Sequence, residues 1–267
     1  MPGPRILLLD IETAPGLSHV WGIRDENIPI ERIVRPGYML CFAAKWYGDK
    51  SPVIFDRIDY RGYDTWTGGI RTLRPNNRRM LRSIHSLLSE ADIIVHYNGQ
   101  RFDVPVINTE FLKGGLGPPM PFKQVDLYKV ARSKFSFLSN KFAFIGPEIG
   151  VGRKVKHNGF ETWTGCMADD AAAWADMKKY NIGDVHPLLG DTYNKFLPWI
   201  DNHPNIALYD DGTKMLCRNC GSPNLRRRVK AENKVTWYWR WSCNDCGRWL
   251  KGSPQKYPGA KRAALLT

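Results

Sequence analysis

The 267 residues of this chain are enough for one full-sized domain and a second, small one. Hydrophobic residues make up 43% of the sequence, which excludes a chain that is disordered throughout. No apolar run reaches the roughly 18 residues that a membrane-spanning helix needs, and the first apolar run is too short for a secretory signal. We therefore expect a soluble intracellular protein, either cytoplasmic or associated with nucleic acid.

The formal net charge of +13 is concentrated at the C-terminal end of the sequence. From Lys214 onward there are 13 of the 39 Lys and Arg residues but only two of the 26 acids, Glu232 and Asp245. The first 213 residues are therefore nearly neutral, at +2. This asymmetry predicts a near-neutral body with a basic appendage that binds a polyanion, although a tail that only improves solubility would have the same charge.

The first predicted element is a strand within residues 5–13, which read RILLLDIET. Its four consecutive apolar residues predict a strand that is covered on both faces of a sheet. Asp10 and Glu12 follow at its C-terminal end, and side chains two positions apart point to the same face of a strand. Two carboxylates this close repel each other unless a positive charge lies between them. The pattern therefore predicts a cation at the end of this strand.

The rest of the body alternates between predicted strands and helices, which indicates an α/β domain. Apolar runs predict further strands at 38–46, 53–55 and 92–97. Amphipathic segments predict helices at 78–88, 104–113, 138–149 and 168–193, the last with interruptions. Glycine, arginine or proline content predicts loops at 60–79 and 117–121, and a polar linker at 201–212.

Two further groups of polar residues have simple structural explanations when each is taken alone. Asp103, in NGQRFDVP, suits the N-cap of a helix, with Pro105 in the first turn. Tyr180 and Asp184 lie four residues apart and share one face of a predicted helix. Only their order along the chain, after the two acids of the first strand, suggests a common function.

Taken in order, these motifs resemble the three exonuclease motifs of the DnaQ-like (DEDD) 3′→5′ exonucleases. They are Asp-x-Glu on the first strand, Asn-x-x-x-Phe-Asp after a later strand, and Tyr-x-x-x-Asp near the end of the body. The tyrosine is typical of the DEDDy branch, which includes family B polymerase proofreading domains. The resemblance spans roughly residues 5–197. It implies an RNase H-like fold, in which helices flank a mixed sheet.

The resemblance also implies the chemistry of the site. It makes Asp10, Glu12, Asp103 and Asp184 the ligands of two Mg²⁺ or Mn²⁺ ions, and Tyr180 the group that orients the attacking water. Two such ions need several hard oxygen ligands, and they cancel the repulsion between clustered acids. One ion activates the water that attacks phosphorus, and the other stabilises the charge on the leaving 3′ oxygen.

A second pair of residues fits the histidine branch of the same family. His186 and Asp191 have the spacing of that branch, His-x-x-x-x-Asp. Pro187 lies between them and predicts a break near His186, because proline removes a helical hydrogen bond and disfavours helix at the preceding residue. We therefore prefer Tyr180 and Asp184, which lie upstream of the break.

The resemblance places three further side chains near the bound 3′ nucleotide. Thr13 and Asn98 are expected to lie beside it, and Phe102 to stack on a base or wedge against it. Core packing explains Phe102 equally well. Five arginines are candidates for phosphate contacts, although a solvated loop explains most of them: Arg61, Arg71, Arg74, Arg78 and Arg79.

The C-terminal segment contains two Cys-x-x-Cys pairs, Cys217–Cys220 and Cys243–Cys246, which are separated by 22 residues. Each pair suits a tight turn that presents two thiolates to one ion, and two such turns complete a tetrahedral Zn²⁺ site. Residues 229–241 are predicted to form a hairpin between the turns. A redox dithiol or two disulfides are the alternatives. An intracellular location disfavours disulfides, and a redox pair does not need a duplicate.

The same segment combines basic and aromatic residues, as single-strand binding requires. Cations neutralise phosphates, and aromatic faces stack on unpaired bases. Alternating aromatics also cover the core of a small ribbon, so only those that face outward are expected to contact nucleic acid. The candidates are Arg226, Arg227, Arg228, Trp237, Trp239 and Trp241.

The sequence thus predicts an RNase H-like α/β exonuclease domain over residues 1–200, a linker over 201–213, and a zinc ribbon with a basic tail over 214–267. The predicted activity is metal-dependent 3′→5′ hydrolysis of phosphodiester bonds, at single-stranded 3′ ends of DNA and with RNA as the second choice. The alternatives are an RNA-processing or structure-specific endonuclease on the same fold, and a nucleic-acid-binding adaptor without activity. Four intact acids argue against the adaptor, because an unused acid cluster costs stability.

Overall fold

The fold is described by a computed structural model that covers residues 3–22, 24, 27–66, 69–233, 235–259 and 261. The chain forms two compact units, one of residues 5–192 and a second that begins at Tyr193. The proposed exonuclease motifs lie in the first unit, and the cysteine pairs lie in the second. Among the residues described, no helix is both long enough and apolar enough to cross a lipid bilayer.

Short strands and helices alternate along the first part of the chain. The strands are β1 (Ile6–Ala14), β2 (Leu17–Ser18), β3 (Ile33–Arg35), β4 (Tyr38–Trp46), β5 (Ile54–Arg57), β6 (Asp59–Thr65), β7 (Arg71–Asn76), β8 (Ile93–His96) and β9 (Lys123–Asp126). The helices are α1 (Arg78–Glu90), α2 (Asp103–Lys113), α3 (Leu127–Lys134), α4 (Phe142–Glu148), α5 (Phe160–Met167) and α6 (Ala171–Gly183). An irregular helical segment, Asp184–Leu189, follows α6 and leads into α7 (Gly190–Phe196).

Five strands form the central sheet of the first unit, in the order β5-β4-β1-β8-β9. β4 is antiparallel to β1 and to β5, whereas β8 is parallel to β1 and β9 is parallel to β8. β1 is the middle strand, and Leu7, Leu8 and Leu9 are almost completely buried. A strand with both faces covered has this continuous apolar pattern. The mixed α/β sheet agrees with the fold class that the sequence predicts.

Helix α1 shows how the core fixes the central strand. Its buried residues recur at helical spacing: Met80, Leu81, Ile84 and Leu88. They belong to one hydrophobic cluster with Leu7, Leu9 and Ile11 of β1 and with residues of α2 and α6. This packing holds β1 rigidly, and with it the acids at its C-terminal end.

Several local predictions agree with the structure. The strand predicted at 38–46 is β4, and the helices predicted at 78–88 and 104–113 are α1 and α2. The predicted break near His186 is confirmed, because this residue has non-helical backbone angles (φ −147°, ψ 121°) after α6 has ended.

Other local predictions are wrong. Residues 60–79 are not a loop, since β6 and β7 pair as an antiparallel hairpin before α1 begins. Its strands are polar and carry arginine and aspartate, so the apolar alternation that marks a strand is absent. The helix predicted at 138–149 is shortened to α4, and β9, α3 and α5 were not predicted. β9 has only four residues, and α5 contains threonine and glycine, which have low helix propensity.

The second unit contains a small antiparallel sheet, β10 (Leu225–Glu232), β11 (Thr236–Cys243), β12 (Trp249–Lys251) and β13 (Gln255–Lys256). β10 and β11 form the predicted hairpin, and β12 and β13 both pair with β11. Asn219 Nδ2 donates hydrogen bonds to the carbonyls of Leu197 (2.8 Å) and Ile200 (3.1 Å). The first cysteine turn is thus hydrogen-bonded to the segment that follows α7. The domain boundaries given by the sequence stay a prediction.

Candidate functional site

Three carboxylates come together at the C-terminal end of β1. Asp10 and Glu12 lie on this strand, and Asp184 begins the irregular segment after α6. The ligand oxygens of the three residues all lie within 4.8 Å of one another. β4 pairs with β1 opposite both acids, and the register shifts directly after Glu12. A central strand holds such side chains rigidly, as a metal site requires.

Asp103 lies beside this group. It is the first residue of α2 and is buried, but Phe102, not Asp103, occupies the N-cap position. Asp103 Oδ1 accepts a hydrogen bond from the backbone N–H of Ile11 at 3.2 Å, which ties α2 to β1. Burial and then the charge of Asp103 raise the pKa of Asp10 well above its usual range. Asp103 is therefore an electrostatic neighbour of Asp10, outside the 4.8 Å group of the described residues.

Burial raises the pKa values of the other three acids as well. The pKa of Glu12 is raised to about 7 by burial, against the opposing charge of Lys154. The pKa of Asp103 is also raised to about 7 by burial, against the hydrogen bond from Ile11. Burial raises the pKa of Asp184, again against Lys154. Such shifts are typical of carboxylates that are buried close together, and they are common at functional sites.

These shifts predict how the stability of the protein depends on pH when no divalent cation is bound. From about pH 4 to about pH 7, the folded protein holds protons on Glu12 and Asp103 that the unfolded chain has lost. The free energy of unfolding should therefore fall as the pH rises through this range. Urea titrations in EDTA at pH 5 and pH 8 measure the change.

Asp103→Asn is the control for this pH dependence, because it removes one of the two acids whose pKa is raised to about 7 and should flatten the curve. Mg²⁺ should restore stability at pH 8, where the acids are ionised and attract the cation. A free energy of unfolding that is higher in EDTA at pH 8 than at pH 5 would contradict the assignment of these shifts.

One cation that the sequence motifs do not reveal lies inside the acidic site. Lys154 Nζ donates to Asp184 Oδ2 at 2.7 Å and to the Tyr180 hydroxyl at 3.0 Å. Lys154 lies between α4 and α5, in residues 149–159, where the chain has no regular structure before Gly159. No periodicity marks it, and the surrounding Arg-Lys-Val-Lys stretch has the composition of a solvated loop. Its ammonium group offsets part of the acidic charge and links Tyr180 to Asp184.

Tyr180 is held as a neutral hydrogen-bonding group. It lies near the end of α6 and is largely buried. Burial raises its pKa to about 12, so its hydroxyl keeps its proton at neutral pH. The rings of His157 and Trp163 pack edge-on against it, with centroids 4.9 Å and 6.0 Å away. The orientation of the Tyr180 ring is therefore fixed from several sides.

Two other side chains that the sequence analysis missed bind the acids of β1. The buried Asn181 donates from Nδ2 to Asp10 Oδ2 at 2.7 Å. The Trp163 side chain forms a hydrogen bond with Glu12. Both bonds orient a carboxylate toward the cluster. The only sequence signal for Asn181 is its position next to Tyr180 in the motif Tyr-Asn-Ile-Gly-Asp.

The rival pair lies outside this group. His186 is exposed and Asp191 is half-buried on α7. Among the described residues, the carboxylate that joins Asp10 and Glu12 belongs to Asp184, and neither member of the rival pair is in the group. The geometry therefore favours the pair Tyr180 and Asp184 over His186 and Asp191.

Residues that adjoin two of the acids in sequence line a cleft of about 320 Å³. Thr13 and Phe102, which adjoin Glu12 and Asp103 in sequence, both line it. Phe102 is 45% exposed, which argues against the alternative that it only packs in the core. Asn98 is not among the lining residues. It has a left-handed φ of 66°, and its N–H donates to Asp126 Oδ1 at 2.9 Å.

The acidic site fits a divalent cation. Oδ1 of Asp184 is buried and has no hydrogen-bond partner within the described structure. A buried polar atom without a partner is costly unless a ligand satisfies it. Carboxylate oxygens are the ligands that Mg²⁺ and Mn²⁺ prefer. Asp10, Glu12 and Asp184 therefore form a suitable donor set, with Asp103 next to it.

The four cysteines of the second unit form another candidate metal site. Their sulfur atoms, from Cys217, Cys220, Cys243 and Cys246, all lie within 4.8 Å of one another. Two of the distances between sulfur atoms are 3.7 Å (Cys217–Cys246) and 3.6 Å (Cys220–Cys243). In a tetrahedral site with Zn–S bonds of about 2.3 Å, sulfur atoms are about 3.8 Å apart. The cluster therefore fits one Zn²⁺.

The turn after each cysteine pair has the backbone that such a site needs. Gly221 and Gly247 adopt left-handed φ angles of 73° and 77°, which glycine reaches without steric cost. Their N–H groups donate to the carbonyls of Cys217 (2.8 Å) and Cys243 (3.0 Å), which closes each turn.

One face of the small sheet combines aromatic rings with cations. Trp237, Trp239 and Trp241 alternate along β11 and so lie on the same face. Lys230 Nζ lies 4.8 Å from the ring centroid of Trp237, and the guanidinium carbon of Arg227 lies 4.7 Å from that of Trp239. We call these five residues the tryptophan face. No motif in the sequence marks Lys230.

The remaining candidates of this sheet lie apart from the tryptophan face. Arg228 donates from Nε to Ser242 Oγ at 2.9 Å and lies over the ring of Trp249 at 5.8 Å. Arg226 is exposed, whereas Tyr238 is buried and belongs to the core of the sheet. Aromatic residues of β11 are thus divided between core and surface, as the sequence predicts.

The mixed sheet, with clustered acids at the end of its central strand, is an RNase H-like fold. Residues 64–189 match the RNase_H_2 family of the RNase_H superfamily. The match includes Asp103, Tyr180 and Asp184 but begins after β1, which carries Asp10 and Glu12. It covers less than half of the chain.

A solved structure with a similar fold is that of the family B DNA polymerase from the hyperthermophilic archaeon Pyrobaculum calidifontis. The similarity covers 74% of this chain, with 20% sequence identity and a TM-score of 0.51. It spans only 25% of the polymerase chain. At this identity the likeness shows a shared fold. No curated protein sequence matches the chain.

Proposed function

We propose that this protein is a metal-dependent 3′→5′ exonuclease of the DEDDy type. The observation that carries the proposal is the convergence of Asp10, Glu12 and Asp184 within 4.8 Å, beside the buried Asp103. The RNase H-like fold supports a nuclease. The motifs resemble those of polymerase proofreading domains, so DNA is the favoured substrate and RNA the second choice. We expect the protein to act inside the cell, where thiols stay reduced.

The four acids would hold two Mg²⁺ or Mn²⁺ ions, which would activate water and offset the charge that develops at the scissile phosphate. Asn181 and Trp163 keep the carboxylates of β1 in orientation through their hydrogen bonds. Tyr180 keeps its proton and orients the attacking water by a hydrogen bond. Lys154 positions Tyr180 relative to Asp184.

The 3′-terminal nucleoside occupies the cleft lined by Thr13 and Phe102. Its volume of about 320 Å³ suits a small ligand. The exposed ring of Phe102 offers a stacking surface for the terminal base. Asn98 lies in the turn between β8 and α2 and helps to hold this end of the site in place.

The second unit binds one structural Zn²⁺ and grips the nucleic acid. The tryptophan face supplies rings for stacking on unpaired bases, and Arg227 and Lys230 supply charge for phosphates. Arg226 and Arg228 add positive charge on the same small sheet. This division assigns chemistry to the first unit and much of the affinity to the second.

Substitution of Tyr180 and of His186 distinguishes the two candidate pairs. Tyr180→Phe should lower kcat by roughly 10- to 100-fold, because it removes a hydroxyl that positions water next to Asp184. His186→Ala should change kcat by less than about threefold, since this side chain is exposed and outside the acidic group. The measurement is single-turnover cleavage of an end-labelled oligonucleotide.

The same experiment includes its own control, because both variants keep all four acids and should bind Mn²⁺ equally well. A larger loss of kcat in His186→Ala than in Tyr180→Phe would move the site to His186 and Asp191. Equal, small effects of both substitutions would remove Tyr180 from the mechanism.

A further inference from the structure

A strongly basic depression lies on the first unit, on residues of β6, β7 and α1. Its volume is about 410 Å³, and it is lined by Asp59, Arg61, Asn76, Arg78, Arg79 and Arg82. We call it the arginine pocket. Four guanidinium groups and a single carboxylate line it, although the first 213 residues are nearly neutral as a whole.

Among the described residues, three of the four arginines have no acidic partner. Arg79 is paired with Asp56 at 2.5 Å and with Asp59 at 3.3 Å. In the part of the chain that the structure describes, no carboxylate forms an ion pair with Arg61, Arg78 or Arg82. Three other arginines of this unit are paired: Arg5 with Glu90, Arg57 with Asp169, and Arg74 with Asp64. Three arginines without a carboxylate partner among the described residues therefore line the same pocket.

The backbone is bent at the residue that brings Arg61 to the pocket. The register of β6 against β7 shifts between Tyr60 and Tyr63. Gly62, within this bulge, has a left-handed φ of 66°. Bulges change the direction of side chains at the edges of sheets and next to functional sites. The hairpin thus contains a β-bulge next to Arg61.

The N-terminus of α1 lacks the residues that usually stabilise a helix end. Asn77 makes no side-chain capping bond, and the first turn contains arginine and no acid. Arg78 and Arg82 are four residues apart on the same helix face. Positive charge at a helix N-terminus and like charges four residues apart both destabilise a helix. A bound anion would remove both penalties, because guanidinium groups bind phosphate through strong, charge-assisted hydrogen bonds.

We propose that the arginine pocket binds the phosphate backbone of the nucleic-acid substrate. This inference rests on the proposed function for the identity of the bound polymer. It adds a phosphate-binding site on the first unit itself, so that affinity does not come from the zinc-binding unit alone. Arg61, Arg78 and Arg82 contact phosphates, and Arg79, paired with two aspartates, forms part of the wall.

The test measures binding of a nuclease-resistant single-stranded oligonucleotide by the full-length chain at several salt concentrations. The triple variant Arg61→Gln/Arg78→Gln/Arg82→Gln should flatten the slope of log affinity against log salt by about two units, at about 0.7 per phosphate contact. Each single substitution should flatten it by about 0.7. The melting temperature of the triple variant should equal or exceed that of the wild type, because repulsion is removed.

The control is a triple variant with the same loss of charge, Lys50→Gln/Lys178→Gln/Lys179→Gln, at exposed positions of the same unit. It should leave the slope within about half a unit of the wild type. Equal slopes for the arginine variant and the wild type would overturn the proposal. Equal flattening in both triple variants would overturn it too, because binding would then follow net charge. A wild type that binds with the predicted pattern but cleaves no nucleic acid would support the pocket and refute the proposed activity.

Discussion

Asp10→Ala and Asp103→Ala are each expected to abolish hydrolysis that depends on Mg²⁺ or Mn²⁺, without loss of the fold. Asp10 belongs to the group of carboxylates within 4.8 Å, and Asp103 is its buried electrostatic neighbour. Removal of either acid weakens cation binding and removes negative charge that the mechanism needs in a fixed place. A loss of at least about 10²-fold in kcat is expected, as for other groups that stabilise transition-state charge.

The same substitutions should not destabilise the protein in EDTA. Burial raises the pKa of each acid, so the ionised carboxylates oppose folding when no cation is present. Melting temperatures at pH 8 should therefore stay close to that of the wild type, because relief of the charge offsets the loss of the hydrogen bonds from Ile11 and Asn181. Asp191→Ala, which removes a carboxylate outside the group, should keep full activity. Full activity in Asp10→Ala or Asp103→Ala, with contaminating nuclease excluded, would refute the two-metal assignment.

Loss of zinc is expected to weaken the binding of nucleic acid and to leave the catalytic step intact. This is the second largest effect that we expect. The small sheet of the second unit has few buried side chains, so its fold depends on the ion held by the four cysteines. Without zinc, the tryptophan face and the neighbouring arginines lose their arrangement. If four phosphate contacts are lost, the slope of log affinity against log salt should flatten by nearly three units, at about 0.7 per contact.

The measurement compares the untreated wild type with two zinc-free forms: the wild type after dialysis against a zinc-selective chelator and return of Mg²⁺, and Cys217→Ser treated in the same way. Metal analysis of the untreated wild type should find one zinc per chain. Cleavage at saturating substrate should survive, since all four proposed catalytic acids lie in the first unit. Cys166→Ala is the control, because it removes a buried thiol outside the cluster. Unchanged slopes after loss of zinc would show that the second unit does not hold the substrate.

The parts of the site that the sequence predicts are those with a local pattern. Asp10 and Glu12 could be predicted because an apolar run and a two-residue spacing are enough to define a buried strand and a shared face. The cysteine pairs could be predicted because turn geometry and ligand type are both encoded within four residues. The break near His186 followed from proline alone.

The parts that could not be predicted depend on contacts between distant segments. Lys154 reaches Asp184 from an irregular segment, and Asn181 reaches Asp10 across 171 positions of sequence. The sequence does not reveal the hairpin of β6 and β7, because its strands are polar. The hairpin is defined by the pairing between the strands and not by an apolar pattern. The arginine pocket depends on that hairpin, so a loop prediction for residues 60–79 could not reveal it.

The most direct test of the proposed activity is digestion of a 5′-labelled single-stranded DNA, with a matched RNA, in Mg²⁺ and in EDTA. The proposal predicts a ladder of products shortened one nucleotide at a time from the 3′ end, formed in Mg²⁺ and absent in EDTA, with DNA cut faster than RNA. Discrete internal cuts would instead indicate an endonuclease. Release of the label as a mononucleotide would indicate the opposite direction, and no cleavage in Mg²⁺ or Mn²⁺ would contradict a nuclease altogether.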